Sequence, residues 1–316
     1  MTLRNRSAGS SADAKLQWAA VRNAIADGRY WSGPGGRRSR WRKLLFNGLV
    51  AVFAKGIRLT PLYQRGRQNA LNLGVFEFEV KLPKLPPKFH GCRILHVSDT
   101  HLDVFPELAN ATRRLLDGVQ VDVLMLTGDV QGDPRAPATL SAGLLAQALS
   151  SVSVRGPRLA VLGNHDSVAM VEALEALDFE VLINRSIILE RDNQRLRITG
   201  LDDVHCFYTE AALTALRKHE DECRIALVHS PEIADHAHAA GYGLYLCGHT
   251  HGGQICWPGG RPLVTQLTRC RHAASGLWRH GQMTGYTSSG LGVSDLPLRF
   301  NCQGGMAIIT LSSLEV

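Results

Sequence analysis

Residues 247–254, Cys247-Gly248-His249-Thr250-His251-Gly252-Gly253-Gln254, set two histidines two apart after the short apolar run Leu244, Tyr245, Leu246. If that run is a buried strand, both rings leave the sheet edge from one loop and can reach two different metal ions. The flanking glycines let the backbone turn and approach a ligand with no Cβ in the way. Three more strand ends repeat the design: Ser98-Asp99-Thr100-His101, Thr127-Gly128-Asp129 and Leu162-Gly163-Asn164-His165-Asp166. His229 closes a further apolar run, Ile225 to Val228. Asp99 and His101 can face one ion, Asp129 has two oxygens and can bridge two, and Asn164 offers the neutral amide oxygen of mixed oxygen and nitrogen sites. Asp99, His101, Asp129, Asn164, His229, His249 and His251, with Asp129 used twice, give each of two ions four protein contacts. A two-metal hydrolytic centre needs that number.

Each of these residues alone has a plain alternative. An Asp after a strand is commonly a turn or helix-cap residue, and a single buried histidine is commonly a core residue with its hydrogen bonds satisfied. The same strand-then-ligand context five times over is not explained that way. His236 and His238 fall inside a helix-like stretch and are left aside, whereas His205 and His272 lie in loops that could overhang the site and contact substrate.

The elements that must hold these residues alternate. Strand-like runs at 93–97, 122–126, 158–162, 224–228 and 243–246 are separated by helix-like stretches at 106–116, 140–149 and 167–177, the pattern of an α/β protein with its chemistry at strand C-terminal ends. Shorter strand-like pieces at 180–183, 187–189 and 196–199 have no helices between them and suggest a second sheet or an antiparallel edge. Phe76, Phe78, Val80 and Leu82 alternate just before Pro83, Pro86 and Pro87, so the body begins near residue 75 and runs to 316.

Residues 1–74 form a basic, mostly helical extension, with 14 Lys and Arg against Asp13 and Asp27, a net +12. The whole chain has 35 basic and 28 acidic groups, so residues 75–316 carry 21 and 26, a net −5. A helix is expected from Asp13 to Asp27, stopped by Gly28. Arg37 to Lys43 then precede the apolar segment Leu44 to Ala54. Eleven residues fall well short of the roughly 20 that cross a bilayer. Residues 37–54 suit a helix lying on an anionic membrane surface, or else a helix packed on the body. A twin-arginine export signal fits less well, because no A-x-A cleavage site follows. Seven cysteines with no CxxC pair read as buried free thiols and favour a cytoplasmic protein, peripheral at the inner membrane. Few aromatics and no nucleic-acid motif accompany the basic run, so no nucleic acid is expected as partner.

Asp99 and His101, Gly128-Asp129, Gly163-Asn164-His165-Asp166, His229 and Gly248-His249-Thr250-His251 together resemble the calcineurin-like metallophosphoesterases, over roughly residues 90–316. The extended form, with Ser289-Gly290-Leu291-Gly292 and Leu296 to Asn301, is similar to a membrane-associated bacterial branch that includes phosphodiesterases and UDP-2,3-diacylglucosamine pyrophosphatases. It departs from that branch at Gln303-Gly304-Gly305, where Pro-Pro-Glu is usual. The resemblance implies a four-layer α/β/β/α sandwich of two mixed sheets. It also implies one ion on Asp99, His101, Asp129 and His251, and a second on Asp129, Asn164, His229 and His249. The ions would be Mn²⁺, with Fe or Zn as alternatives. Two cations turn a shared water into hydroxide near neutral pH, and the hydroxide opens a phosphodiester or pyrophosphate bond in line. His165 is left as the acid for the leaving group, with Asp166 or Asp133 keeping it protonated; Asp166 could equally cap the helix at 167–177. The implied substrate is lipid-linked, such as UDP-2,3-diacylglucosamine of lipid A biosynthesis. A soluble nucleotide, or a non-catalytic metal-binding scaffold, are the alternatives.

Overall fold

The computed structural model of the chain describes residues 1–4, 12–28, 48, 52, 54–217 and 222–314. In chain order the elements are β1 (Thr2–Arg4), α1 (Ala12–Ala26), α2 (Pro61–Leu71), β2 (Gly74–Leu82), β3 (Arg93–Val97), α3 (Glu107–Leu115), β4 (Gln120–Val121), β5 (Val123–Thr127), α4 (Ala138–Ala148), β6 (Ser153–Val154) and β7 (Arg158–Val161). There follow α5 (Met170–Glu175), β8 (Phe179–Val181), β9 (Arg185–Arg191), β10 (Gln194–Gly200), α6 (Glu210–Ala215), β11 (Arg224–Leu227), α7 (Ala234–Ala239), β12 (Leu244–Cys247), β13 (Gly276–His280), β14 (Met283–Thr287) and β15 (Gly305–Ser313).

Two mixed sheets result. One runs β1-β9-β10-β11-β12-β14-β13 and the other β2-β15-β3-β5-β7-β8. They face each other across a shared apolar layer to which Ile94, Met125 and Val161 come from the second sheet and Ile198, Leu227 and Leu246 from the first. Helices α3, α4 and α5 cover the outer face of the six-stranded sheet through Leu108, Leu145 and Leu174. Helix α7 covers the other outer face with Ala234 and Ala237 against Tyr245. This is the expected four-layer sandwich. The pieces at 180–183, 187–189 and 196–199 divide between the sheets. β8 continues the parallel run after β7, while β9 and β10 form an antiparallel hairpin joined by Asp192 and Asn193, both at positive φ, as a two-residue type I′ turn requires.

The topology explains why the chemistry collects at one edge. β3, β5 and β7 are parallel neighbours, and so are β11 and β12, so their C-terminal ends lie along the facing edges of the two sheets. Registration of the two ends depends partly on Tyr245, fully buried on β12, whose hydroxyl donates to the Ser230 carbonyl at 2.7 Å, one residue past His229.

The residues before 75 are not free of the body. β1 adds an antiparallel strand beside β9, and α1 lies where the sequence places a helix. Arg22 of α1 is 2% exposed. In α2, Gly66 accepts from the Arg299 amide and Asn69 donates to the Arg299 carbonyl. Ala54 and Ile57 pack with Leu296 and Leu298, while Val52 is exposed. The run Arg37 to Lys43 and the segment Leu44 to Ala54, apart from residues 48, 52 and 54, lie outside the described residues. Among the described residues no helix is long and apolar enough to cross a membrane. All seven cysteines are free. Cys92, Cys223, Cys247 and Cys256 are buried as expected, but Cys206 is exposed because it sits on the loop after β10, away from any strand.

Leu246→Ala, which empties a site between the sheets, is expected to cost about 2–5 kcal/mol. Tyr245→Phe removes one buried hydrogen bond and should cost about 0.5–1.5 kcal/mol. Urea denaturation of the two variants measures both; equal losses would mean that Tyr245 does more than register the strand ends.

Candidate metal centre

The five loops bring their polar side chains to a common point. Asp129 Oδ2 lies 3.4 Å from His229 Nε2 and 3.6 Å from His101 Nε2. Asn164 Oδ1 is 3.1 Å from His229 Nε2 and 2.9 Å from His249 Nδ1. His251 Nε2 is 3.5 Å from Asp99 Oδ1. Donors bound at 2.0–2.2 Å to one cation sit about 3–3.5 Å from each other, so these separations suit shared ions. Asp99, His101 and His251 offer ligand atoms within 4.8 Å of one another, and so do Asp99, Asp129 and His229. Asp99 therefore reaches toward both groups.

The donor chemistry fits divalent cations. His101 Nδ1 and His229 Nδ1 donate to the carbonyls of Gln131 and Thr127, each at 2.7 Å, and so leave Nε2 as the bare nitrogen. His101 Nε2, His249 Nε2 and His251 Nδ1 are buried with no hydrogen-bond partner. A buried polar atom left unpaired costs about 1–3 kcal/mol, and a cation is the partner that three imidazoles and two carboxylates share. Charge points the same way. Burial pushes the Asp99 carboxyl up to about 6, and the neighbouring Asp129 charge adds to the rise against His229. Burial also opposes ionisation of Asp129, but His229 and His165 outweigh it and hold that carboxyl well below its usual range. Burial pushes His101 down to about 4.

Local backbone is strained where the ligands sit. Asp99, His101, Asp129, His249 and His251 have φ of 49°, 36°, 55°, 73° and 51°, the left-handed region that costs such residues on the order of 1–3 kcal/mol each. Hydrogen bonds hold the turns in place. The Asp99 amide donates to the Gly128 carbonyl, and the His249 amide donates to the Asp99 carboxylate at 3.0 Å. Gly248 is forced by proximity, because a Cβ there would lie 1.9 Å from Ser98 Oγ and 2.1 Å from Asp99 Oδ2.

His165 is half-buried and holds its ring by donating Nδ1–H to the Gly132 carbonyl at 2.8 Å. Burial disfavours its charged form, but the Asp129 charge and the Gly132 carbonyl outweigh that and raise its pKa. Of the two acids expected to support it, Asp166 adds its charge to that rise, although its hydrogen bonds go elsewhere. The Asp166 carboxylate is spent on four backbone N–H groups, those of Asp129, Val130 and Gly163 at 2.8 Å and that of Gln131 at 3.0 Å. It does not cap the following helix either, since α5 starts only at Met170 with Ala169 before it. Asp133 bonds to Arg135. The residue that sets the Gly132 turn is Asp103, which accepts from the Gly132 and Asp133 amides.

His205 does overhang the site, its ring centroid 4.1 Å from that of His249. Its Nδ1 lies 2.7 Å from Glu232 Oε2, a carboxylate that sequence reasoning did not single out and that also accepts from Thr268. His272 instead packs beside Trp278 and His280. Arg299, in the Leu296 to Asn301 motif, is fully buried and donates to the carbonyls of His251, Ser289, Gly290 and Gly292. That explains why two motifs distant in sequence belong together: one guanidinium ties the Ser289 to Gly292 loop to the His251 loop. The signal for Arg299 was present, but its role could not be read without the fold.

Two facing mixed sheets thus carry a histidine, carboxylate and amide cluster at their strand ends, with donors that fit divalent ions. The chain belongs to the calcineurin-like phosphoesterase family, whose model matches residues 92–253. It is 29% identical over 245 residues to the uncharacterized metallophosphoesterase YkuE of Bacillus subtilis (strain 168), covering 75% of this chain and 85% of that one. A second relative from the same organism, the uncharacterized metallophosphoesterase YkoQ, is 29% identical over 248 residues, 76% of this chain and 90% of its own. The phosphodiesterase YaeI of Escherichia coli (strain K12) is 27% identical over 233 residues, 69% of this chain and 82% of its own.

Asp166→Asn is expected to destabilise the protein, since its amide nitrogen would face two N–H donors, each orphaned group costing about 1–3 kcal/mol. Denaturation midpoint and metal retained after dialysis are the measurements. A variant as stable as the parent would mean that the loops are held without this carboxylate.

Proposed function

We propose that the protein is a phosphodiesterase or pyrophosphatase whose two divalent ions, Mn²⁺ by preference, are held by Asp99, His101, Asp129 and His251 and by Asp129, Asn164, His229 and His249. The observation that carries this reading is the convergence of His101 Nε2 and His229 Nε2 on Asp129 Oδ2, each ring tied through Nδ1 to a backbone carbonyl, beside the buried and unpartnered His249 Nε2 and His251 Nδ1. Bound there, the ions would activate water and withdraw charge from the phosphoryl oxygens. The chain's own residues do the rest. Asp129 would keep the two ligand groups together through Oδ2, which faces His229 on one side and His101 on the other. Asn164 adds an amide oxygen without adding charge. His165, its Nδ1–H committed to Gly132, presents Nε2 to deliver a proton to the leaving oxygen. His205, steered by Glu232, stands beside His249 as a contact for a substrate oxygen.

A lipid-linked substrate presented at an anionic membrane is the finer reading. It is supported by the net +12 of residues 1–74. It is also supported by an apolar surface on the loop that follows His251, where Trp257 is 62%, Leu263 50% and Val264 47% exposed. The turn between them is short, closed by the Trp257 and Arg261 backbones at 2.9 Å, and keeps these side chains on one projection. Trp at an interface gains from burying its ring while its N–H stays wet, and Arg261 beside it suits anionic headgroups. Localisation would then be cytoplasmic and peripheral at the membrane.

His165→Ala is expected to keep its metal, to lose turnover of bis-p-nitrophenyl phosphate by a small factor, and to lose on the order of 10²–10⁴ on a diester with a poor leaving group. Elemental analysis and rates on both substrates decide it, and unchanged activity on the poor leaving group would remove His165 from the reaction. Replacing Trp257, Leu263 and Val264 together by Ser should reduce co-sedimentation with phosphatidylglycerol vesicles and leave turnover of the soluble diester unaltered. Equal sedimentation of parent and variant would sink the membrane role of this loop.

A further inference from the structure

Arg22 is the one charged side chain of the described part of α1 that is buried, and it is 141 residues away in sequence from the loop it contacts. Its Nη2 donates to the Gly163 carbonyl at 2.6 Å and to the Asp166 carbonyl at 2.9 Å, so one nitrogen grips both ends of the turn that carries Asn164 and His165. Its Nη1 pairs with Asp202 Oδ1. The guanidinium carbon lies 3.9 Å from the centre of the Phe207 ring, and Trp18, one turn earlier on α1, donates to Asp202 Oδ2 at 2.6 Å. A second contact, Lys15 with Glu175 of α5 at 2.7 Å, fastens the start of the helix.

The loop so gripped is held from its other side by Asp166, whose carboxylate takes the Asp129, Val130 and Gln131 amides. Within it, Asn164 Oδ1 meets His229 and His249, and the His165 amide donates to Asp129 Oδ1 at 2.8 Å. Asp202, the anionic partner of Arg22, opens the stretch in which Asp203 accepts from the His205 and Cys206 amides, and His205 leans on His249. Arg22 thus touches both loops that flank Asn164 and His249. A planar guanidinium can bind two carbonyls and a carboxylate at once; an ammonium cannot match that geometry.

We propose that Arg22 is a positioning residue of the phosphoesterase site, and that α1, which lies before the segment matched by the family model, is a working part of the catalytic apparatus. Arg22 sets the Asn164 amide and the His165 ring by fixing the carbonyls on either side of them. The proposal rests on the reading of Asn164 as a ligand and His165 as the acid. It accounts for a cost that α1 carries: a cation with 2% exposure is expensive to bury and persists where every donor has a partner.

The test uses the full chain with Arg22→Lys and Arg22→Ala. Arg22→Lys keeps the charge beside Asp202 but not the paired donor geometry, so its thermal midpoint should fall below the parent's while the protein stays folded at the assay temperature. It should nonetheless bind the more weakly held ion and turn over bis-p-nitrophenyl phosphate some 10–100-fold less well, with KM little changed, the range for losing a partner that orients a ligand. Arg22→Ala should lose at least as much, and millimolar guanidinium chloride should restore part of its kcat while leaving the parent's unchanged. Parent-like ion affinity and kcat in both variants would overturn the proposal, and so would activity that falls only in step with the folded fraction and is not rescued. Ion stoichiometry of the parent and of Asn164→Ala, measured alongside, reports on the ligand reading alone. Should the parent bind fewer than two ions, that reading falls and Arg22 is judged on kcat and guanidinium rescue.

Discussion

A carboxylate with only 2% exposure needs donors, and Asp166 finds them in four backbone N–H groups drawn from two loops. Much of the site depends on that convergence. The Asp129 turn and the Gly163 to Asp166 turn belong to neighbouring parallel strands, and nothing in strand pairing alone dictates how the chain continues past the sheet edge. Asp166 dictates it. Burial still raises its pKa, the Asp129 charge adds to that, and the backbone donors and Arg22 act against both. The balance resembles that at the ligands themselves: negative charge is concentrated first, and the surrounding dipoles are arranged to tolerate it.

Strain is the counterpart of this concentration. Asp99, His101, Asp129, His249 and His251 adopt left-handed backbone, a conformation each would avoid in isolation. The sheets supply the rigidity that holds the turns, through the apolar layer between them and the Arg299 guanidinium that joins the His251 loop to residues 289–292. The clustered side chains are thereby placed on stiff supports.

Charge in this protein is partitioned by task. The body is mildly acidic and gathers carboxylates at the strand ends, while the extension carries the basic excess. The two are not independent, because Arg22 from the basic part is consumed inside the body and Asn69 of α2 bonds to the Arg299 carbonyl. The packing of the body and of the Gly163 to Asp166 loop therefore draws on residues that a boundary at 75 would assign to an appendage.

The sequence alone determined the alternation of strands and helices, and the seven polar residues that follow apolar runs, because both are local patterns: periodicity of burial within an element, and ligands within two or three residues of a strand end. It did not determine what Asp166 does. A carboxylate beside His165 looks like its partner in one dimension, yet the side chain turns to amides 35–37 residues back in the chain. Nor could it show that Glu232 steers His205, or that Arg22 meets Gly163, since no periodicity links a residue to a partner 27 or 141 positions away. Those choices were made by tertiary structure for one reason. Packing two sheets face to face buries the loops at their common edge, and every polar group trapped there has to find a donor or acceptor among whatever segments the topology brings near.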